Sequence, residues 1–146
     1  MGSTWVHLLV VHIPVLLCPV ALFFLIRAIR SSAVADSKIG HVFVLICAIA
    51  TVIAYFTGTS SAEWLDGIIQ LDQEQVENHG LWGRISFTIM AIAGVAALMT
   101  LIAYLQEEEP HPLLLRIVLG LTLIGFTSSV WTAHLGGILR RPELGF

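Results

Sequence analysis

Four long apolar stretches, at about 5–29, 39–57, 81–105 and 112–139, leave this chain few folds to choose from. A bilayer core takes about 20 apolar residues per helix. In lipid a backbone must satisfy its own hydrogen bonds, so stretches of this length are read as helices. The composition agrees: 57% of residues are hydrophobic and 12% charged, with a mean hydropathy of +0.89. Soluble domains carry roughly 25% charged residues. The expected fold class is therefore all-α: a transmembrane four-helix up-and-down bundle, one integral membrane domain over residues 1–146. The net charge of -3 and the lack of a basic tract argue against nucleic-acid binding.

The segment from Gly58 to Asn78 is expected to be a long loop. Within it, Ser60 and Glu63 fit a capping box, and Trp64, Leu65, Ile68 and Ile69 recur at helical spacing. That predicts a short amphipathic helix in the loop between the second and third helices, lying on the membrane surface. Glu63, Asp66, Asp72, Glu74 and Glu77 make this face acidic, either as a solvated loop or as a docking patch for a basic electron carrier. Arg27, Arg30, Lys38 and Arg116 flank one side of the spans, and Arg84, Arg140 and Arg141 the other. By the positive-inside rule both termini and the long loop lie outside. Trp5, Trp64, Trp82 and Trp131 fall near that side. The first span lacks a basic leader and a cleavage site, so it is expected to stay as a spanning helix. No internal repeat shows in the residue pattern.

Six histidines are the chemistry-bearing residues. Imidazole in lipid is costly unless it binds something. His7, His12, His79 and His134 all fall at the outer end of the expected bundle, whereas His41 and His111 fall at the inner end and read as interfacial. His7 and His12 differ by five residues, a rotation of about 140°, so they do not share a face. By depth His12 pairs best with His134, and His7 with His79; a diagonal His12–His79 pairing is open as well. Zinc would prefer cysteine or carboxylate ligands set close by, and a transporter would need polar ligands at the midplane. Histidine-only ligation among apolar helices fits a low-spin haem b, one or two per chain. Gly83 and Gly137 would let a helix approach the macrocycle. Arg84, Arg140 and Arg141 lie where propionates would emerge. Cys18 and Cys47 sit in apolar runs and form no haem-attachment motif; a disulfide between them is not expected.

His7-Leu8-Leu9-Val10-Val11-His12-Ile13-Pro14 resembles the opening HPLLVHFP motif of a bacterial family of small four-helix membrane proteins known as a domain of unknown function. Thr57-Gly58, Asn78-His79-Gly80 and the run Ala133 to Glu143 resemble further motifs of that family, the last its AHxGGxxRHPE ending. Leu8, Ile13 and Arg141 depart from the family's Pro, Phe and His. The resemblance implies a four-helix membrane domain carrying a b-type haem, near c-type cytochromes in bacterial respiratory systems. The expected function is a membrane-bound b-type cytochrome near the periplasmic leaflet of the inner membrane, a subunit of a larger respiratory or photosynthetic complex, exchanging electrons with a quinol or a periplasmic c-type cytochrome. The alternative is a non-redox accessory subunit. No nucleophile–base pair marks a self-contained enzyme.

Overall fold

The computed structural model describes residues 2–141, so Pro142 and Glu143 of the C-terminal motif lie outside the described residues. Five helices follow one another: α1 (Gly2–Val10), α2 (His12–Ser31), α3 (Val34–Ile69), α4 (Gln73–Leu105) and α5 (Pro112–Arg140), with no strand among the described residues. α1 and α2 form one near-continuous rod broken at Val11. The break falls next to the carbonyl that loses its partner: Pro14 has no N–H to offer Val10. Pro14 itself is in the first turn of α2, where proline is tolerated, and Pro19 lies further inside. Four helices are thus long and apolar enough to cross a membrane, which is consistent with a multi-pass membrane protein.

The structure corrects the expected loop helix. α3 does not end at Thr57 but runs on to Ile69, and α4 starts at Gln73, well before the expected position 81. Ser60 and Glu63 therefore lie inside α3 and cap nothing. The chain reverses over Gln70, Leu71 and Asp72 instead. Gln70 takes a left-handed conformation, φ 52°. The Asp66 carboxylate accepts from the Leu71 N–H at 2.7 Å, and Asp72 accepts from the Glu74 N–H at 2.9 Å. Acidic residues expected on a surface helix are the caps of a tight helical hairpin.

Specific contacts fix how neighbouring helices lie. His7 meets Gly58, Cys18 packs with Cys47, and Leu25 covers Gly40. Tyr55 stacks on Phe87 at 4.5 Å, and Tyr104 donates to Ser37 at 2.9 Å. Residue numbers rise on one helix as they fall on its neighbour. α2 also packs against α5, whereas neither α1 nor α2 brings a Cα within 8 Å of α4. The rod α1–α2 and helix α4 thus face each other across the interior.

That interior changes character along its length. Towards the α2–α3 turn, Ala21, Leu25, Val44, Ala93, Ala97 and Val118 form an apolar core. Cys18, Cys47 and Met90 form the next layer. Towards the α3–α4 turn the buried residues are small and mostly hydroxylic: Thr4, Thr51, Ser61, Ser86, Ser128 and Ser129. The outward faces are apolar, with Leu9, Leu16, Phe23, Ile49, Ile92 and Leu123 all exposed. Burying such a face against lipid instead of water is favourable by about 25 cal/mol per Å².

α3 and α4 approach closely at Gly94. A Cβ added there would lie 2.5 Å from the Ala48 Cβ. Neither atom can rotate away, so the backbones must part. Gly94→Ala is expected to destabilise the fold by about 1–3 kcal/mol, the usual cost of overpacking. Gly120 has nothing within 4 Å, and Gly120→Ala should be neutral or slightly stabilising. Reversible unfolding in mixed micelles measures both. A Gly94→Ala chain as stable as its parent would contradict this contact.

Candidate haem-ligand site

The four histidines at the α3–α4 end divide two and two. His7 and His79 are turned into the interior, half-buried between helices. His12 and His134 stand on exposed faces of α2 and α5. The pair expected from depth alone, His12 with His134, is therefore not gathered inside the protein. The ring of His134 lies against Trp131 of its own helix, 5.4 Å between centroids.

His7 and His79 are seated in the same way. The His7 Nδ1 lies 2.8 Å from the Ala54 carbonyl oxygen of α3. The His79 Nδ1 lies 3.0 Å from the Thr132 carbonyl oxygen of α5. A carbonyl only accepts, so Nδ1 carries the proton in each ring and Nε2 is left as a lone pair. Four residues beyond each carbonyl stands a glycine. A Cβ on Gly58 would come within 3.3 Å of the His7 Cε1, and one on Gly136 within 3.0 Å of the His79 Cε1. Each imidazole thus rests on a bare stretch of helix and donates to the carbonyl one turn away. The Thr57 hydroxyl adds a contact at 3.3 Å to the His7 Nδ1.

Each ring has the orientation that metal-ligating histidines keep. A ligating histidine ordinarily donates its other ring N–H to a carbonyl or carboxylate, which fixes its tautomer and orientation. Both rings already have that donor bond. Towards this end Thr4 Oγ1 and Ser129 Oγ are buried with no hydrogen-bond partner, as are Asp36 Oδ2 and His41 Nε2 towards the other. An unpaired buried hydroxyl costs about 1–3 kcal/mol, and an added ligand can relieve it. Among the described residues no three of His, Cys, Asp or Glu gather into a bare metal site.

The other residues expected at the site are peripheral. Arg84, Arg140 and Arg141 are exposed on the surface at this end. A Cβ added at Gly83 would lie 3.9 Å from the Thr132 methyl, an ordinary contact, and one added at Gly137 would meet nothing within 4 Å, so neither glycine is required by close packing. Cys18 and Cys47 are free thiols packed together.

His41 is the histidine that sequence reading misplaced. It was expected at the interface, and it is fully buried, 0% exposed. Its Nδ1 donates to the Ser37 carbonyl at 2.7 Å, and its Nε2 has no partner. Tyr104 closes this group by donating to Ser37 Oγ. The signal was the neighbouring Gly40, whose contact with Leu25 turns this face of α3 inward. His111 is exposed, as expected, and caps α5 by accepting from the Leu113 N–H at 3.2 Å. A cavity of about 310 Å³ opens near it, lined in part by Ser37, Thr100, Tyr104 and Arg116. Along α3 Ser37 is 17 residues from Ala54 (54 − 37), about 25 Å at the helical rise, so the cavity is separate from the His7–His79 site.

No family model, no curated protein and no solved structure matches this chain.

The seats assign tautomers. In the apoprotein, ¹⁵N magnetic resonance should report an Nδ1–H, bare-Nε2 imidazole for His7, His41 and His79. A protonated Nε2 with bare Nδ1 at His7 or His79 would contradict the seat.

Proposed function

We propose that this chain is a membrane-embedded b-type cytochrome. In this reading it is an up-and-down bundle across a bacterial cytoplasmic membrane, with both termini outside and haem b held between His7 and His79 near the outer leaflet. The observation that carries it is the matched pair of imidazole seats: two inward rings, each with Nδ1 committed to a carbonyl and Nε2 left to bind. Haem would supply reversible one-electron chemistry, and two axial imidazoles leave no open position for oxygen. The chain's own work is to hold the two rings, exclude water and set the local polarity. Buried Ser61, Ser86, Ser128 and Ser129 lie at the same end of the interior. The motif resemblance at His7 and His79 supports the same assignment.

The α3–α4 tip gives the reading a partner. Glu63, Asp66, Asp72, Glu74 and Glu77 are all exposed there, and no Lys or Arg falls between Ile39 and Gly83. A negative tip would steer a basic soluble carrier, such as a periplasmic c-type cytochrome, towards the histidine end. A quinol or another membrane subunit would stand on the other side of the exchange, in a larger respiratory or photosynthetic complex.

The test is a reduced-minus-oxidised visible spectrum of the chain purified in detergent. A sharp low-spin b-type signal is expected. His7→Ala and His79→Ala should each abolish it, whereas His12→Ala and His134→Ala, which alter outward faces, should leave it in place. A chain that never shows the signal, even when supplied with haem during expression, is not a cytochrome.

A further inference from the structure

Burial along the chain repeats. Every buried residue of α2 lies 72 positions before a buried residue of α4 (100 − 28): Pro14 with Ser86, Cys18 with Met90, Ala21 with Ala93, Leu25 with Ala97, Ala28 with Thr100. His79 follows His7 by the same step. Every buried residue of α5 follows a buried residue of α3 by 78 positions (139 − 61). Gly40 with Val118 begins that series and Ser61 with Leu139 ends it. The helices α3 and α5 also start 78 positions apart, at Val34 and Pro112. The six-residue excess falls around the turn before α5, which is longer than the Ser32–Ala33 turn before α3.

Two amphipathic helices share burial period by chance, so period alone proves little. The contacts do not follow from period. Ala54 and Thr132, the carbonyls that receive His7 and His79, are 78 apart, and so are Gly58 and Gly136. The Cys18–Cys47 contact corresponds to Met90 against Gly125, where an added Cβ would strike the Met90 sulfur. Leu25 over Gly40 corresponds to Ala97 and Val118, which share the apolar core. The histidine seats and the buried contacts within each hairpin occupy equivalent positions. The chain consists of two equivalent helical hairpins, α1–α3 and α4–α5. The rods that carry the two histidines stand opposite each other, as a local twofold axis between the hairpins requires. The expectation that no repeat exists is thereby corrected.

We propose that this repeat sets the stoichiometry of the site: one haem per chain, on the local twofold, with one imidazole from each hairpin. The proposal rests on the cytochrome reading above and goes beyond it. Two haems would each need a second axial ligand, and the remaining outer-end imidazoles, His12 and His134, are on outward faces. A single porphyrin has two like faces, which is what two equivalent seats can bind. Neither hairpin alone holds a complete ligand set.

The haem-to-protein ratio of the detergent-purified chain, from extracted-haem absorbance and amino-acid analysis, tests this. A ratio of one is expected. A ratio of two overturns the proposal and leaves the cytochrome reading standing, whereas no haem at all overturns both. In electron paramagnetic resonance, His7→Ala and His79→Ala should each convert the low-spin signal to high-spin or lose it. A low-spin signal that survives in either variant overturns the proposal. The equivalence of the halves has a readout in the haem-free protein as well. Gly58→Ala and Gly136→Ala, which crowd the two seats, should each lower its unfolding temperature by roughly 2–6 °C. A fall confined to one of them contradicts the repeat.

Discussion

An imidazole inside a protein must place its N–H, and in an apolar helical interior a helix carbonyl is nearly the only acceptor within reach. His7 and His79 both meet that demand on a neighbouring helix. The bond is worth only about 1 kcal/mol net, but it decides much more than stability. It fixes the tautomer, holds the ring plane and turns the second nitrogen into a free base. Carbonyls inside a helix are already engaged with the N–H four residues on, and each can still accept a second bond through its other lone pair. Glycine at that fourth position removes the side chain that would block the approach. Gly58 and Gly136 are therefore part of the ligand geometry, although neither has any chemistry of its own.

The rest of the packing serves the same geometry. Helices come close where small residues let them, at Gly40, Gly94 and Gly125, all in the half remote from the histidines or near the middle. There the core is apolar and tight. At the histidine end serines and threonines replace leucine and valine, and two of their hydroxyls stay unpaired. Natural interiors rarely leave such groups unanswered.

Much of the fold was legible because hydropathy is a long-range signal. Four apolar stretches, their order and their single domain-sized length follow from residue type alone. The loop helix was misread because Gly58, Ser60 and the acidic residues look like loop punctuation. In a hairpin that rises beyond the core, α3 simply continues, and the true turn hides in Gln70, a left-handed residue that no glycine marks. The repeat was hidden for another reason. Few of the equivalent interior positions keep the same residue: the histidines, Ile13 with Ile85, Ala21 with Ala93, and Gly58 with Gly136 do. Cys18 with Met90 and Leu25 with Ala97 conserve burial and contact while changing volume, and compensating partners across the interface absorb the change.

The inward orientation of His7 and His79 was within reach of the sequence, through angles instead of depth. Five residues separate His7 from His12, so one faces outward when the other faces inward. The same reasoning applies to α5. Its seat uses Thr132 and Gly136, which face α4. His134 lies midway between them, two residues from each, and two residues turn a helix by about 200°. It must therefore point away from the helix that Thr132 and Gly136 face. Depth alone ranks His12 with His134, because it counts how far a residue lies along the axis and ignores rotation. Once a glycine and a carbonyl four residues apart are recognised as a seat, His134 is seen to face away from it, and His7 and His79 are the rings that face inward.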